Sequence, residues 1–446
     1  MPDDRPRPFS WYEYLPWLRL TRSLRTSLSI RVLLAAVIGY VGTKAGWRLI
    51  GMLFEHAEEN TRLQEYITLA KPWPWQPSPL LADVSLHEAG WIGDILGGPL
   101  MRGWVELTLP LRVMFDYEVG WTGFAYAILC GLWMLAVWSF FGGIITRTAA
   151  MRFARDETPT LGHTVRFTNR RYLSYFTAPL FPLLGIILAA IPIILLGLIA
   201  WSDFGAIISG IFGFVMLLCA LFMAILLVAL AVGWPLMWAT ISSEGTDSFD
   251  ALSRMYAYVY QRPVQLLLYL IVAAVLGVVG GVFVLLLAGA VNLMAAWSFS
   301  LGSGAARFDD LVHLVGVVGG IGEPLVEQTG MHSVGSNLLE FWFGLVCVVV
   351  ASYPIAYLWC AYTGIYALLR YDVDAAEVDE VYLDEQQQTF GLPHLATDPA
   401  GVPLATDMPP STPTDSTPTD VTPPSATAQP PDNGENDPHG DAPLNE

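Results

Sequence analysis

Two basic side chains, Lys44 and Arg48, lie inside an apolar stretch of the sequence and are the first candidates for chemistry. They are four positions apart, so on a helix they share one face. Charged groups within a membrane span are costly and often mark functional sites. One interpretation is an intramembrane site for an anionic ligand or an acidic partner. The alternative is a short, tilted span whose two basic side chains extend outward to the water.

A second basic set lies between the apolar stretches, in segments that would form short helices at the membrane surface. Anionic lipid headgroups are the natural ligands of such arginines. The alternative is that these residues only fix the topology of the chain. The headgroup candidates are Arg166, Arg170, Arg171, Arg254 and Arg262.

Motifs for catalysis or cofactor binding are missing from the sequence. We find no nucleophile elbow, phosphate-binding loop, dinucleotide fingerprint or zinc spacing. The connecting loops hold acids and four histidines, which make a divalent metal conceivable. These side chains lack the spacing of a known metal site. The histidines are His56, His87, His313 and His332. The four cysteines all lie in apolar stretches and offer no disulfide framework. We therefore predict a non-enzyme with no catalytic residue, no cofactor and no metal.

The composition restricts the class of protein to which these residues can belong. Of the 446 residues, 54% are hydrophobic and 14% are charged, whereas a soluble protein carries about 25% charged residues. A soluble enzyme is excluded, because there is too little charged surface to cover it. With two lysines in the whole chain, the sequence also lacks the basic footprint of a nucleic-acid-binding protein.

Apolar stretches of about 20 residues predict membrane helices. The predicted fold is an all-α, polytopic membrane protein with six transmembrane helices in three hairpins, interfacial amphipathic helices and a disordered C-terminal tail. The six-span domain covers 30–370, with outer loops at 55–119 and 298–337. The spans lie near 30–54, 120–146, 176–201, 205–239, 265–297 and 338–369.

Arginine placement predicts the orientation, because basic loops remain on the cytoplasmic side. With the N-terminal segment 1–29 inside, 15 basic residues fall on the inner side and five on the outer side. Both termini are therefore expected in the cytoplasm, in the cytoplasmic (inner) membrane of a bacterium. A cleaved signal peptide over 32–42 is the alternative, but the sequence after it is a poor cleavage site.

Within the outer loops, residues 89–113 mix apolar and charged residues, which favours one or two amphipathic helices on the outer surface.

Rows of small residues predict close helix contacts. One row is Gly205, Ser209 and Gly213, and the other is Ala273, Gly277 and Gly281.

Two inner segments share a pattern: an acid, then a hydroxyl residue that could cap a helix, then an arginine. In the first these are Glu157, Thr160 and Arg166; in the second, Glu244, Ser248 and Arg254. A third, diverged copy is expected over residues 17–31. The duplicated unit, mainly within 150–300, resembles that of multi-pass bacterial membrane proteins of unknown function, a resemblance that implies no activity.

The last 76 residues, 371–446, hold 16 acids and no Lys or Arg. This acidic composition, rich in Pro and Thr, predicts a disordered cytoplasmic tail. It could bind a partner, act as a spacer or be dispensable. The leading hypothesis for the whole protein is a non-enzymatic membrane component whose partners are membrane lipids or a protein bound through this tail, and not nucleic acid. The alternative, supported by the internal repeat, is a transporter or facilitator for an apolar or lipid-like cargo.

Overall fold

The computed structural model describes residues 15–55, 61–76, 99–312, 331–376 and 380–382, all within a unit formed by residues 1–386. The described residues form helices, two of them short 3₁₀ turns, and no strand. The α-helices are α1 Thr21–Ser27, α2 Ile30–Phe54, α3 Thr61–Ala70, α4 Pro99–Leu107, α5 Leu109–Phe115, α6 Gly120–Arg155, α7 Leu161–Arg170, α8 Tyr172–Thr177, α9 Leu180–Ile199, α10 Asp203–Ile211, α11 Gly213–Glu244, α12 Ser248–Gln261, α13 Pro263–Ser303, α14 Ala305–Leu311 and α15 Met331–Asp374.

Within the described residues, six helical stretches are long and apolar enough to span a membrane, which agrees with the predicted number. They are α2, α6, α8 with α9, α11, α13 and α15. The fourth begins at Gly213 and not at residue 205, because α10 forms a separate helix in the connection. Ser202 caps α10, its hydroxyl oxygen accepting a hydrogen bond from the Gly205 amide at 3.0 Å. The connection between the third and fourth spans therefore contains a helix, and the row Gly205, Ser209 and Gly213 is divided between two helices.

The six spans pack as three pairs. Helices α6, α11 and α15 all contact one another at the centre, and each packs along a second span: α2, α9 and α13 respectively. Three short helices lie at one end of the bundle, which we call the basic end: α7 packs on α6, α12 on α11, and α1 on α15. Because α1 precedes the first span and α15 is the last span, this last contact joins the two ends of the described bundle. Helix α1 lies within residues 17–31, where a third copy of the repeat is expected.

Aromatic rings fill the centre of the described bundle. Trp238 of α11 and Trp359 of α15 stack with centroids 4.3 Å apart. The third central helix contributes Gly142, where a Cβ atom would lie 2.4 Å from the Trp238 ring. One turn further, the Thr146 and Ser242 hydroxyls hydrogen-bond at 2.6 Å. The three central helices therefore meet through close packing at this level.

The middle hairpin, α9 with the first half of α11, departs from this compact packing. In the most apolar 18-residue windows, 6% of α8–α9 and 11% of α11 is buried, against 61% of α15. Among the described helices, and beyond its chain neighbours α8 and α10, α9 packs extensively only on α11. We call residues 180–228 the arm.

The helix starts differ from the predicted caps. Thr160 occupies the N-cap position of α7, but its side chain makes no capping hydrogen bond. Ser248 is the first residue of α12, and Asp247 caps that helix, its carboxylate accepting from the Asp250 amide at 2.9 Å. An aspartate competes well for this position, because its carboxylate also interacts favourably with the helix dipole.

Candidate functional site

A cluster of buried charged and polar side chains joins α2 to α4. The Lys44 ammonium lies 3.2 Å from one carboxylate oxygen of Glu106, and the Arg102 Nε atom lies 3.1 Å from the other. The Tyr40 hydroxyl donates a hydrogen bond to the same carboxylate. The exposed fractions of Lys44, Arg102 and Glu106 are 3%, 4% and 1%. One carboxylate thus pairs with two cations near the midpoint of α2, and we call these four residues the charge cluster.

Matching helical spacing brings the cluster together. Tyr40 and Lys44 are four residues apart on α2, and Arg102 and Glu106 are four apart on α4, so each pair forms one face. Gly103 lets α4 approach α15 closely, since a Cβ atom there would lie 2.3 Å from the Ala351 carbonyl oxygen. Helix α4 is therefore inserted into the bundle.

This insertion corrects the prediction that residues 89–113 lie on the outer surface. Helix α4 buries both charged residues of its sequence, Arg102 and Glu106. Helix α5 packs on α6 and α3, and residues 89–98 lie outside the described part of the chain. The prediction placed the polar face of this amphipathic helix toward water. In the structure, the polar face of α4 contacts Tyr40 and Lys44 of α2.

Arg48 does not join Lys44 in the cluster. Its guanidinium donates to the Lys71 carbonyl oxygen at 3.2 Å and lies 4.9 Å from the Trp73 ring centroid. Trp73 stacks on Trp75 in the non-helical segment that follows α3. Lys44 therefore has an acidic partner, as in the first interpretation made from the sequence. Arg48 extends toward the end of its span, as in the second.

The structure also separates the five headgroup candidates. Arg254 lies 2.7 Å from the Glu244 carboxylate and 3.3 Å from that of Asp250, so its charge is matched by acids. Arg171 is half-buried and donates to the Thr246 carbonyl oxygen at 3.3 Å. The other three candidates, Arg166, Arg170 and Arg262, are exposed at the basic end.

The acid of each repeat copy has a different role. Glu244 also accepts from Arg370 at 3.1 Å, and the Tyr366 hydroxyl donates to it, so it links α11, α12 and α15. Nearby, burial and the Asp374 carboxylate raise the pKa of Tyr258 above its ordinary value. Glu157, the corresponding acid of the first copy, is exposed. The acid of the shared pattern therefore joins a network of ion pairs and hydrogen bonds in the second segment, whereas in the first segment it is exposed.

An apolar groove of about 420 Å³ lies between α13 and α15, beneath α4. The predicted small-residue row lines it, with Ala273, Gly277 and Gly281 facing α15 and α4. Leu100, Met101 and Trp104 close one end of the groove. The charge cluster is on another face of α4 and does not line this groove. The groove suits an acyl chain or another apolar group.

Sequence reasoning missed Glu106, although one signal was present: Arg102 and Glu106 repeat the spacing of Tyr40 and Lys44.

Among the described residues, no group of three or more His, Cys, Asp or Glu side chains could hold a metal ion. Of the four loop histidines, three lie outside the described residues, as do residues 383–446 of the predicted tail. Helix α15 continues to Asp374, beyond the predicted start of the tail at residue 371.

Comparison with protein-family models, curated proteins and solved structures found no match to this chain.

Proposed function

We propose that this protein is a non-enzymatic component of the cytoplasmic membrane that acts by binding another membrane constituent, a protein or a lipid, along the arm. The observation that carries the proposal is the exposure of this two-helix hairpin. Its exposed side chains include Ile187, Leu188 and Phe222, with exposed fractions of 61%, 57% and 53%. A hairpin packed mainly on itself presents its outward faces to lipid tails or to helices of another protein.

The packed centre supports this proposal over transport along the bundle axis. A transporter built from repeats holds its cargo where the repeats meet, near the middle of the membrane. In this protein Trp238, Trp359 and Gly142 pack closely where the three central helices meet. An assembly or lipid-binding component needs no such cavity, since its contacts are on the outer surface of the bundle.

The basic end is proposed to face the cytoplasm. The described arginines of α1, α7 and α12 gather there, together with Arg147, Arg152 and Arg155 at the end of α6. The rule that basic loops remain inside supports this orientation. The arm's connection, which includes α10, then faces the opposite side.

The second candidate function is a facilitator for an apolar or lipid-like cargo. The groove of about 420 Å³ favours it, because its wall is almost wholly apolar and α4 closes one end. In this function the cargo would travel along the side of the bundle, between α13 and α15.

Site-specific photocrosslinking in intact membranes tests the proposal. A photoreactive amino acid replaces Ile187 on the arm or, as the matched control, Ile271 on α13, which has a similar exposed fraction of 54%. We expect a discrete protein or lipid adduct from position 187 and only bulk phospholipid from position 271. Bulk phospholipid alone from both positions would overturn the proposal. A single lipid-like adduct from Met101 in the groove, with none from the arm, would favour the facilitator.

A further inference from the structure

A short segment of the acidic tail docks on the basic end of the bundle. After α15 ends at Asp374, residues Glu380, Val381 and Tyr382 lie against α11 and α15 without forming helix or strand. We call these three residues the tail segment. The cleft that holds it is formed by the ends of α6, α7, α11 and α15.

The main chain of the tail segment is bound at both polar groups of Tyr382. Its amide donates to the Ser243 carbonyl oxygen at 2.8 Å. Its carbonyl oxygen accepts from the Arg147 guanidinium at 2.7 Å. Arg147 is fully buried and also donates to the Ser242 carbonyl oxygen at 2.7 Å. The tail segment therefore supplies one acceptor to a buried guanidinium, which gains more from a hydrogen bond than an exposed one does.

Two side chains of the tail segment occupy separate places in the cleft. The Tyr382 ring lies 5.4 Å from the Arg171 guanidinium and 6.5 Å from the Phe167 ring. Gly245 makes room for this ring, because a Cβ atom there would lie 2.7 Å from it. Glu380 pairs with Arg370 at 3.1 Å. The cleft thus contacts an acid, the main chain of Tyr382 and an aromatic ring two positions after the acid.

The cleft is larger than the tail segment. A cavity of about 560 Å³ adjoins it and is lined by Arg155, Glu244 and Arg370 as well as by the tail segment itself. Extended peptides bind in this way, with main-chain hydrogen bonds for affinity and side-chain pockets for specificity.

We propose that this cleft is a peptide-binding site for an extended segment with an acid two residues before an aromatic residue, presented by a partner protein. The chain's own tail segment fills the site until such a partner competes for it. The five residues between Asp374 and Glu380 form a short tether, which sets an effective concentration on the order of mM. A partner therefore binds only if its concentration and affinity are high enough to displace the tail segment. The site is at the basic end, so the inference does not depend on what the arm binds.

Competition between the tether and a free peptide tests the proposal. The probe is a fluorescent peptide with the sequence of residues 376–386, and its binding is measured by anisotropy to the full chain in a mild detergent. We compare the wild type with Tyr382→Ala, and use Tyr371→Ala as the control, since Tyr371 is half-exposed outside the cleft. We expect Tyr382→Ala to bind the peptide at least about ten-fold more tightly than the wild type or the control.

Two further measurements identify the binding mode. A peptide whose tyrosine is replaced by alanine should lose binding to the Tyr382→Ala protein. Arg171→Met in the Tyr382→Ala background should weaken binding without removing the buried Arg147. Equal peptide affinity for the wild type and Tyr382→Ala, no binding to either, or binding that ignores the tyrosine of the peptide would overturn the proposal.

Discussion

Replacing Glu106 with glutamine should destabilise the protein by leaving two buried cations without their carboxylate. The substitution keeps the volume of the side chain, removes its charge and replaces one acceptor oxygen with an NH2 donor. In the structure this carboxylate lies 3.2 Å from Lys44 and 3.1 Å from Arg102, both of which are nearly fully buried. Breaking a buried ion pair by removing one partner costs about 3–5 kcal/mol. We expect the free energy of unfolding to fall by about 3 kcal/mol, near the lower limit of that range.

Unfolding in mixed detergent micelles, followed by far-ultraviolet circular dichroism, measures this change. The matched control is Glu65→Gln on α3, where an exposed carboxylate lies 2.7 Å from Arg62; its effect should remain below about 1 kcal/mol. Adding Lys44→Met to the Glu106→Gln protein removes one unmatched cation, so it should recover part of the loss. Equal effects of Glu106→Gln and Glu65→Gln, or a further loss on adding Lys44→Met, would refute the reasoning.

Two other predictions concern the central packing and the orientation. Gly142→Ala should lower the free energy of unfolding by about 1–3 kcal/mol, because its methyl group would meet the Trp238 ring. Gly131→Ala on the same helix has open space and should be neutral or stabilising by up to about 1 kcal/mol; equal losses in the same unfolding measurement would contradict the packing argument. Single cysteines at Glu65 and Glu157, both exposed, should react with an impermeant maleimide from opposite sides of sealed membrane vesicles. Labelling of both from one side would disprove the proposed orientation.

The sequence alone was sufficient to predict the six apolar helices. A span is recognised from a continuous stretch of apolar residues, which is a local property and does not depend on which helix packs beside it. The shared pattern of the two inner segments was visible for the same reason, because each segment is a short helix followed by a span. The boundary of the fourth span was not predicted, because Ser202 caps a separate helix within an uninterrupted apolar stretch.

Only the tertiary structure decided what the charged residues do. Lys44 and Arg48 share a helix face in the sequence, yet Lys44 pairs with a carboxylate 62 positions away, and Arg48 contacts the segment around Lys71. An amphipathic pattern shows that α4 has a polar face, but the same pattern fits a helix turned toward water and one turned toward buried polar groups. The tail segment is similar, because its acids alone predict a solvated chain and its binding depends on Arg147 and Gly245, which come from distant helices. Contacts between residues far apart in sequence are fixed by the packing of whole helices, and no local pattern specifies them.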